Sequence, residues 1–329
     1  MKRFCLLLAL IMIFSLAGCC YAPGYQGKLQ LESLFSNVPT LPAEEYIPIN
    51  NSEVPTENSG NEELSGPVAI PDPEIDWNAL PVRADTDFVD VSQYIPDMVI
   101  DLQYATVNNF TGKVIYKSNK AYLRYGTVRK LMEIQKELRA QGYLLKLWDG
   151  FRTVDAQTEL WYAKPDPDFI ANPATGGSSH SRGNTVDITV VDANGQEILM
   201  PTGFDDFTVL ADRDYSDCSA AAAENATMLQ ELMEKHGFTP YEAEWWHFRD
   251  KDDYPVEKVL DPDVIGTYYA KCNEYISLRA EPNTGANVLN KILVNEQFTL
   301  LGYVDDYFCW VEYNGQRGYV LIDYVGKVR

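Results

Sequence analysis

Ser178-Ser179-His180-Ser181-Arg182-Gly183-Asn184-Thr185-Val186-Asp187-Ile188-Thr189-Val190-Val191 runs from a Ser/Gly-rich loop into a β-branched strand. Its first half is built from turn-forming residues, and residues 185–191 have the composition of a strand. The two-residue period of a strand puts Asp187 and Thr189 on one face and Val186, Ile188 and Val190 on the other. A His and an Asp at this spacing cannot share a helical face. They can meet when the His lies on the loop that enters the strand carrying the Asp. An isolated ionised carboxylate among apolar neighbours is very costly, so Asp187 calls for a cationic partner.

The chain has 329 residues and only three histidines, and a second of them lies in Glu244-Trp245-Trp246-His247. Catalytic zinc takes three protein ligands from His, Asp, Glu or Cys and keeps a fourth position open for water. His180, Asp187 and His247 form such a set for one Zn2+ per chain, and Glu244 is left as a candidate general base. In a regular strand Glu244 and His247 fall on opposite faces, so both reach one metal only through a bend or bulge. Read alone, Glu244 serves equally well as a surface ion-pair carboxylate, and His180 and Asp187 also read as a loop histidine and a capping residue. Arg152, after Trp148-Asp149-Gly150-Phe151, is either an oxyanion-stabilising guanidinium or an ordinary ion-pair partner. His236 precedes Gly237 at the end of a helical stretch and reads as a helix-terminal histidine. Trp245 and Trp246 read as core or pocket walls.

The pattern around these motifs is α+β. Residues 98–104 alternate like a half-buried strand, residues 125–141 carry Val128, Leu131, Ile134 and Leu138 at helical spacing, and residues 143–148 form a strand. A helix begins near Val154, another covers residues 220–236, and residues 245–248 make a final strand. Helices and strands mix without regular βαβ alternation, which gives a mixed helix/antiparallel-sheet domain over residues 87–261. From residue 265 to 329 the texture changes to short strands at residues 275–282, 291–304, 310–313 and 318–322, with Asn314-Gly315 as a hairpin signal. That pattern suits a small all-β barrel.

A formal net charge of −21 argues against nucleic acid, which needs a basic footprint. The N-terminus reads as an export signal: Lys2 and Arg3 precede an apolar run over residues 4–16, too short to span a bilayer. The run ends in Ser15-Leu16-Ala17-Gly18-Cys19, which resembles a bacterial lipobox. On that reading residues 1–18 are a lipoprotein signal peptide, Cys19 is lipidated, and the protein is extracytoplasmic and anchored to the cell membrane. Residues 19–86, rich in Pro, Ser and Glu, read as a disordered tether. Outside the cytosol a Cys272–Cys309 disulfide is an open expectation.

The stretches Asp101-Leu-Gln-Tyr-Ala-Thr106, Asn109-Phe-Thr-Gly112, Trp148-Asp-Gly-Phe-Arg152, residues 178–189, Gly203-Phe-Asp205 and Glu244-Trp-Trp-His-Phe248 carry a further reading. Together they resemble the VanX-type D-Ala-D-Ala dipeptidase family of zinc metallopeptidases. The resemblance implies zinc on His180, Asp187 and His247, general acid/base work by Glu244 and oxyanion stabilisation by Arg152. It also implies that Tyr104, Asp205 and Ser178 contact substrate, with Asp205 facing a free ammonium. Ile276-Ser-Leu-Arg-Ala-Glu-Pro282, Trp310-Val-Glu-Tyr-Asn-Gly315 and Gly318-Tyr-Val320 resemble bacterial SH3-like domains, often associated with cell-wall peptidoglycan.

Thr185 stands where the peptidase family usually has Ala, residues 213–218 lack histidines found in its resistance enzyme, and an export signal is foreign to that cytoplasmic enzyme. The expected activity is hydrolysis of D-Ala-D-Ala or a related dipeptide at the cell envelope. Two rivals stand beside it: a DD-carboxypeptidase or endopeptidase acting on peptidoglycan stem peptides, and a non-catalytic wall-binding lipoprotein.

Overall fold

A computed structural model describes residues 68–328. The expected signal peptide, Cys19 and most of the expected tether lie outside the described residues. Among those described, no helix is long and apolar enough to cross a membrane.

The peptidase-like part contains β1 (Phe88–Asp90), β2 (Val99–Ile100), β3 (Tyr122–Arg124), α1 (Tyr125–Arg139), β4 (Tyr143–Asp149), α2 (Val154–Ala163), β5 (Thr185–Asp192), α3 (Ala220–Lys235), β6 (Phe238–Tyr241) and β7 (Glu244–Asp250). Its five-stranded sheet has the order β2-β4-β5-β7-β6, and β1 and β3 form a separate pair. Only β2 and β4 run parallel in the larger sheet, with α1 in the crossover between them; the other neighbours are antiparallel.

The predicted apolar positions make the core. Val128, Leu131, Ile134 and Leu138 of α1 pack with Leu145 and Leu147 of β4 and with Val186, Ile188 and Val190 of β5, all fully buried. The helix stops where expected, because Gly142 takes φ +79°, a left-handed conformation open to Gly. The strand expected over residues 98–104 contracts to β2. After Leu102 the chain turns into a 3-10 turn, Gln103–Ala105, that buries the Tyr104 ring.

The second module consists of β8 (Gly266–Ala270), β9 (Tyr275–Arg279), β10 (Val288–Leu293), β11 (Gln297–Tyr303), β12 (Phe308–Tyr313), β13 (Gln316–Leu321) and β14 (Val325–Lys327). They form one antiparallel sheet in the order β10-β9-β13-β12-β11-β8-β14. Residues 291–304, expected as one run, split into β10 and β11 at Asn295, whose φ of +66° breaks the extended chain. Asn314 and Gly315, at φ +51° and +76°, make the hairpin turn between β12 and β13.

Two expectations change here. Residues 68–86 do not behave as the end of a free tether: Ile70 N–H donates to the Arg139 carbonyl, and Asp72 pairs with Arg139 at 2.9 Å. Arg83 makes a two-point pair with Glu312 at 2.8 and 3.0 Å. Paired charges and Leu80 packed on the core hold a segment whose composition alone reads as unstructured. The Cys272–Cys309 bridge is also not formed, and Cys218, Cys272 and Cys309 are free thiols. Cys309 lies on β12 and Cys272 just beyond β8, with β11 between these strands. Two inter-strand steps are about 9–10 Å, beyond the reach of a disulfide. Burial pushes the Cys309 thiol up to about 12.

The two modules are welded rather than strung together. Glu312 also accepts from Arg317 Nε at 2.9 Å, and Arg317 reaches Asp87 and the Phe88 carbonyl at 3.1 Å each. Beneath this network Phe88, Tyr122 and Phe151 pack with Leu260 and Leu301 in one apolar cluster. Phe151 adjoins Arg152, so the β-rich module supports the loop that carries that arginine.

Candidate active site

The 178–183 loop closes as a short 3-10 turn, Ser179–Arg182, in which the Ser178 hydroxyl accepts from the His180 N–H at 3.2 Å. Gly183 follows at φ +75°, and a Cβ there would stand 2.2 Å from the Phe88 ring, so only Gly lets the turn reach β5. His180 is thereby pointed inward, 2% exposed. Its Nδ1 lies 2.8 Å from the Gly150 carbonyl, which can only accept. Nδ1 therefore carries the hydrogen, and Nε2 keeps a free lone pair.

That lone pair meets the other two predicted ligands. His180 Nε2 is 3.4 Å from His247 Nδ1 and 3.4 Å from Asp187 Oδ2, and His247 Nδ1 is 3.0 Å from Asp187 Oδ1. Three ligand atoms on a tetrahedral ion at metal–ligand distances of about 2.0–2.1 Å stand about 3.3–3.4 Å apart. The two imidazole nitrogens stand at that separation, and Asp187 presents one carboxylate oxygen to each, so the three residues can close on one ion. These three residues form the metal-competent cluster among the described residues. Burial would raise the Asp187 carboxyl, but His180 and His247 outweigh it and hold it below the usual carboxylate range. Burial likewise depresses His247, against the pull of Asp187.

Glu244 and His247 reach the same place because β7 is bulged. Tyr241 pairs with Glu244, but the next partner, Pro240, pairs with Phe248, so residues 245–247 are extra on β7. The Glu244 carboxylate stands 3.4 Å from His247 Nδ1 and is 7% exposed. Burial, then the charges of Asp187 and Asp205, push its pKa well above the carboxylate range.

Arg152 enters from the loop after β4. Its Nε and Nη2 both donate to Asp149 Oδ2, at 2.9 and 2.5 Å, and Nη1 donates to Gln157 Oε1 at 2.8 Å. Burial opposes its charge, but fully buried Asp149 keeps the guanidinium protonated. Nη2 lies 3.8 Å from Asp187 Oδ2. On the opposite wall the Tyr104 hydroxyl donates to Asp205 at 3.0 and 3.2 Å. Burial, followed by the charge of Asp187, raises Asp205 to about 7.

All eight predicted site residues (Tyr104, Arg152, Ser178, His180, Asp187, Asp205, Glu244 and His247) line one cleft of about 240 Å3, with Phe169, Ile170 and Trp246 among its other walls. A larger cavity of about 460 Å3 lies below Phe151 against Leu260 and Tyr303, and contains none of them. His236 stands outside the cleft, its Nε2 2.8 Å from Glu137 at the end of α3. Trp245 donates to the Thr202 hydroxyl from the core, and Trp246 forms part of the cleft wall.

Comparison with known proteins follows the same boundaries. Residues 84–264 match the D-ala-D-ala dipeptidase family of M15 peptidases.

The chain belongs to the D-Ala-D-Ala dipeptidase family.

Residues 274–326 match the bacterial SH3 domain, in agreement with the second module. A D-alanyl-D-alanine dipeptidase of Escherichia coli (strain K12) is 34% identical over 163 residues, covering 50% of this chain and 84% of that protein. Another, of Enterococcus faecalis (strain ATCC 700802 / V583), is 34% identical over 176 residues, covering 47% and 87%. A third, of Streptomyces coelicolor, is 30% identical over 196 residues, covering 53% and 96%. Every cleft residue named above falls within the stretch matching the dipeptidase family.

Sequence reasoning missed three contributors: Asp149 and Gln157, which hold Arg152, and Gly150, whose carbonyl sets the His180 tautomer. Asp149 was legible in principle, as a carboxylate three residues before the arginine. Gln157 and the Gly150 carbonyl carry no such signal.

Proposed function

We propose that the protein is an exported zinc D,D-dipeptidase that hydrolyses D-Ala-D-Ala or a related dipeptide at the cell envelope. The observation that carries this reading is the meeting of His180, Asp187 and His247, their ligand atoms 3.0–3.4 Å apart, with Glu244 3.4 Å from the same ligand set. Zinc bound there supplies Lewis acidity at the scissile carbonyl.

The remaining chemistry belongs to the side chains. Glu244 takes a proton from the attacking water and delivers it to the departing amine. Its burial suits the role, since a base raised toward the working pH also serves as an acid. Arg152 is pinned by three hydrogen bonds to Asp149 and Gln157, and its remaining N–H donors serve the developing oxyanion. Asp205, oriented by Tyr104, pairs with the substrate's free ammonium. Ser178 keeps the His180 turn in register at the cleft wall.

A cleft of about 240 Å3 is small beside ordinary ligand pockets and suits a two-residue substrate. The SH3 module favours a second reading, action on peptidoglycan stem peptides. Asp205 favours the free dipeptide, because a stem peptide has an acylated nitrogen at that point. Attachment to the membrane through Cys19 rests on Lys2, Arg3 and the apolar run that follows.

The experiment compares zinc-loaded protein on D-Ala-D-Ala and on a stem pentapeptide ending in D-Ala-D-Ala. Faster release of D-Ala from the dipeptide is expected. Inertness on the dipeptide, with turnover of the pentapeptide, would replace the first reading by the second. Cys19→Ala should move the protein from the membrane fraction to the soluble one.

A further inference from the structure

A strand carries residues three apart on opposite faces, yet Glu244 and His247 both face the cleft. The bulge over residues 245–247 resolves this, and a bulge takes backbone carbonyls out of the sheet ladder, where they need other donors. Arg213 supplies them. Its Nε donates to the Tyr241 carbonyl at 2.8 Å, and its Nη2 donates to the carbonyls of Glu244 and His247 at 3.0 Å each. Its Nη1 is held by Gln230 Oε1 at 3.1 Å, from α3, and by the Tyr215 hydroxyl at 3.3 Å. All five donors of a guanidinium are thus engaged. The Arg213 backbone N–H also reaches the Glu242 carbonyl at 3.1 Å, and the guanidinium lies 4.5 Å from the Phe248 ring centroid. One side chain therefore grips both ends of the bulge and ties it to α3.

We infer that Arg213 is a positioning residue, which fixes the separation of Glu244 from His247 and so sets both zinc affinity and proton transfer at the cleft. This rests on the function proposed above. Arg213 contributes no atom to the reaction and acts through the backbone of the residues that do. Lysine keeps the charge but offers three donors from a single point, which cannot span three carbonyls while holding Gln230. The effect therefore belongs to the fork of donors and not to the charge alone.

The test uses the full chain with Arg213→Lys, Arg213→Ala and the milder Gln230→Ala. Zinc affinity is measured by chelator competition and turnover with D-Ala-D-Ala at saturating zinc. Loss of a residue that supports metal ligands typically weakens metal binding about 10–100-fold. Arg213→Lys is expected to weaken zinc binding by about that factor, and to lower kcat more than it changes KM. Gln230→Ala should shift both in the same direction by less. Ethylguanidinium at millimolar concentration should restore part of the Arg213→Ala activity.

Lowered thermal stability with zinc affinity and kcat intact in Arg213→Lys would overturn the inference, leaving Arg213 a structural residue only. Should Arg213→Lys fail to fold, Gln230→Ala decides: unchanged zinc affinity and kcat overturn the proposal. A wild-type protein that binds zinc but spares the dipeptide would defeat the proposed function alone, since the zinc-affinity arm still judges Arg213.

Discussion

Asp205 is the residue whose perturbation separates stability from function most cleanly. Its carboxyl is half-buried against Tyr104, with the charge of Asp187 nearby, and its pKa rises from 3.8 to about 7. A carboxylate whose folded pKa lies above its unfolded value penalises the folded state. The penalty appears as pH rises past 3.8 and is complete above about 7. The full lift corresponds to about 4 kcal/mol. Asn is close in shape to the protonated acid, accepts the same hydrogen bond from Tyr104, and tolerates the φ of +56° at this position. Asp205→Asn should therefore stabilise metal-free protein, and the gain should grow by about 2–3 kcal/mol between pH 5 and pH 8. Urea unfolding of both proteins at the two pH values, in the presence of chelator, measures this. A gain that does not change with pH would refute the reasoning, because it would mean that the carboxyl ionises in the cleft as it does in water. On the proposed function the same variant should lose turnover of D-Ala-D-Ala mainly through KM, since the carboxylate assigned to the substrate ammonium has lost its charge.

Glu244→Gln should lower kcat by about 10^2–10^4-fold while zinc content, read by atomic absorption, stays near that of the unaltered protein; equal loss of zinc would assign Glu244 to the ligand set. Zinc at one hundred times its Kd should stabilise the protein by about 2.7 kcal/mol, and His247→Ala should abolish that response in thermal unfolding. At Gly302 a Cβ would stand 1.7 Å from the Val259 carbonyl oxygen. Gly302→Ala must push β11 off the 257–261 segment, an overpacking of about 1–3 kcal/mol or more; an unchanged melting temperature would show that the modules do not pack there.

Much of the site was legible because its chemistry is written in residue types that have few other reasons to occur together. His180 and Asp187 were placed by a local rule, a turn-forming loop running into a β-branched strand, and β5 follows that rule. The helices α1 and α3 and the Asn314-Gly315 hairpin were likewise local, set by apolar spacing and by residues that adopt positive φ. The meeting of Glu244 with His247 was not local. Strand periodicity argues against it, and the carbonyls of the bulge that permits it are held by Arg213, remote along the chain and itself fixed by Gln230 on α3. The tautomer of His180 depends on the Gly150 carbonyl, a backbone atom with no signature in residue type. The fate of residues 68–86 was hidden for a similar reason: their composition reads as unstructured, and their order comes from Arg139 and Glu312, which lie far away in sequence. Ligand identity and element type follow from side-chain chemistry and short-range backbone preference. Which carbonyls, carboxylates and guanidinium groups face one another follows from packing, because those contacts join segments that only the folded chain brings together.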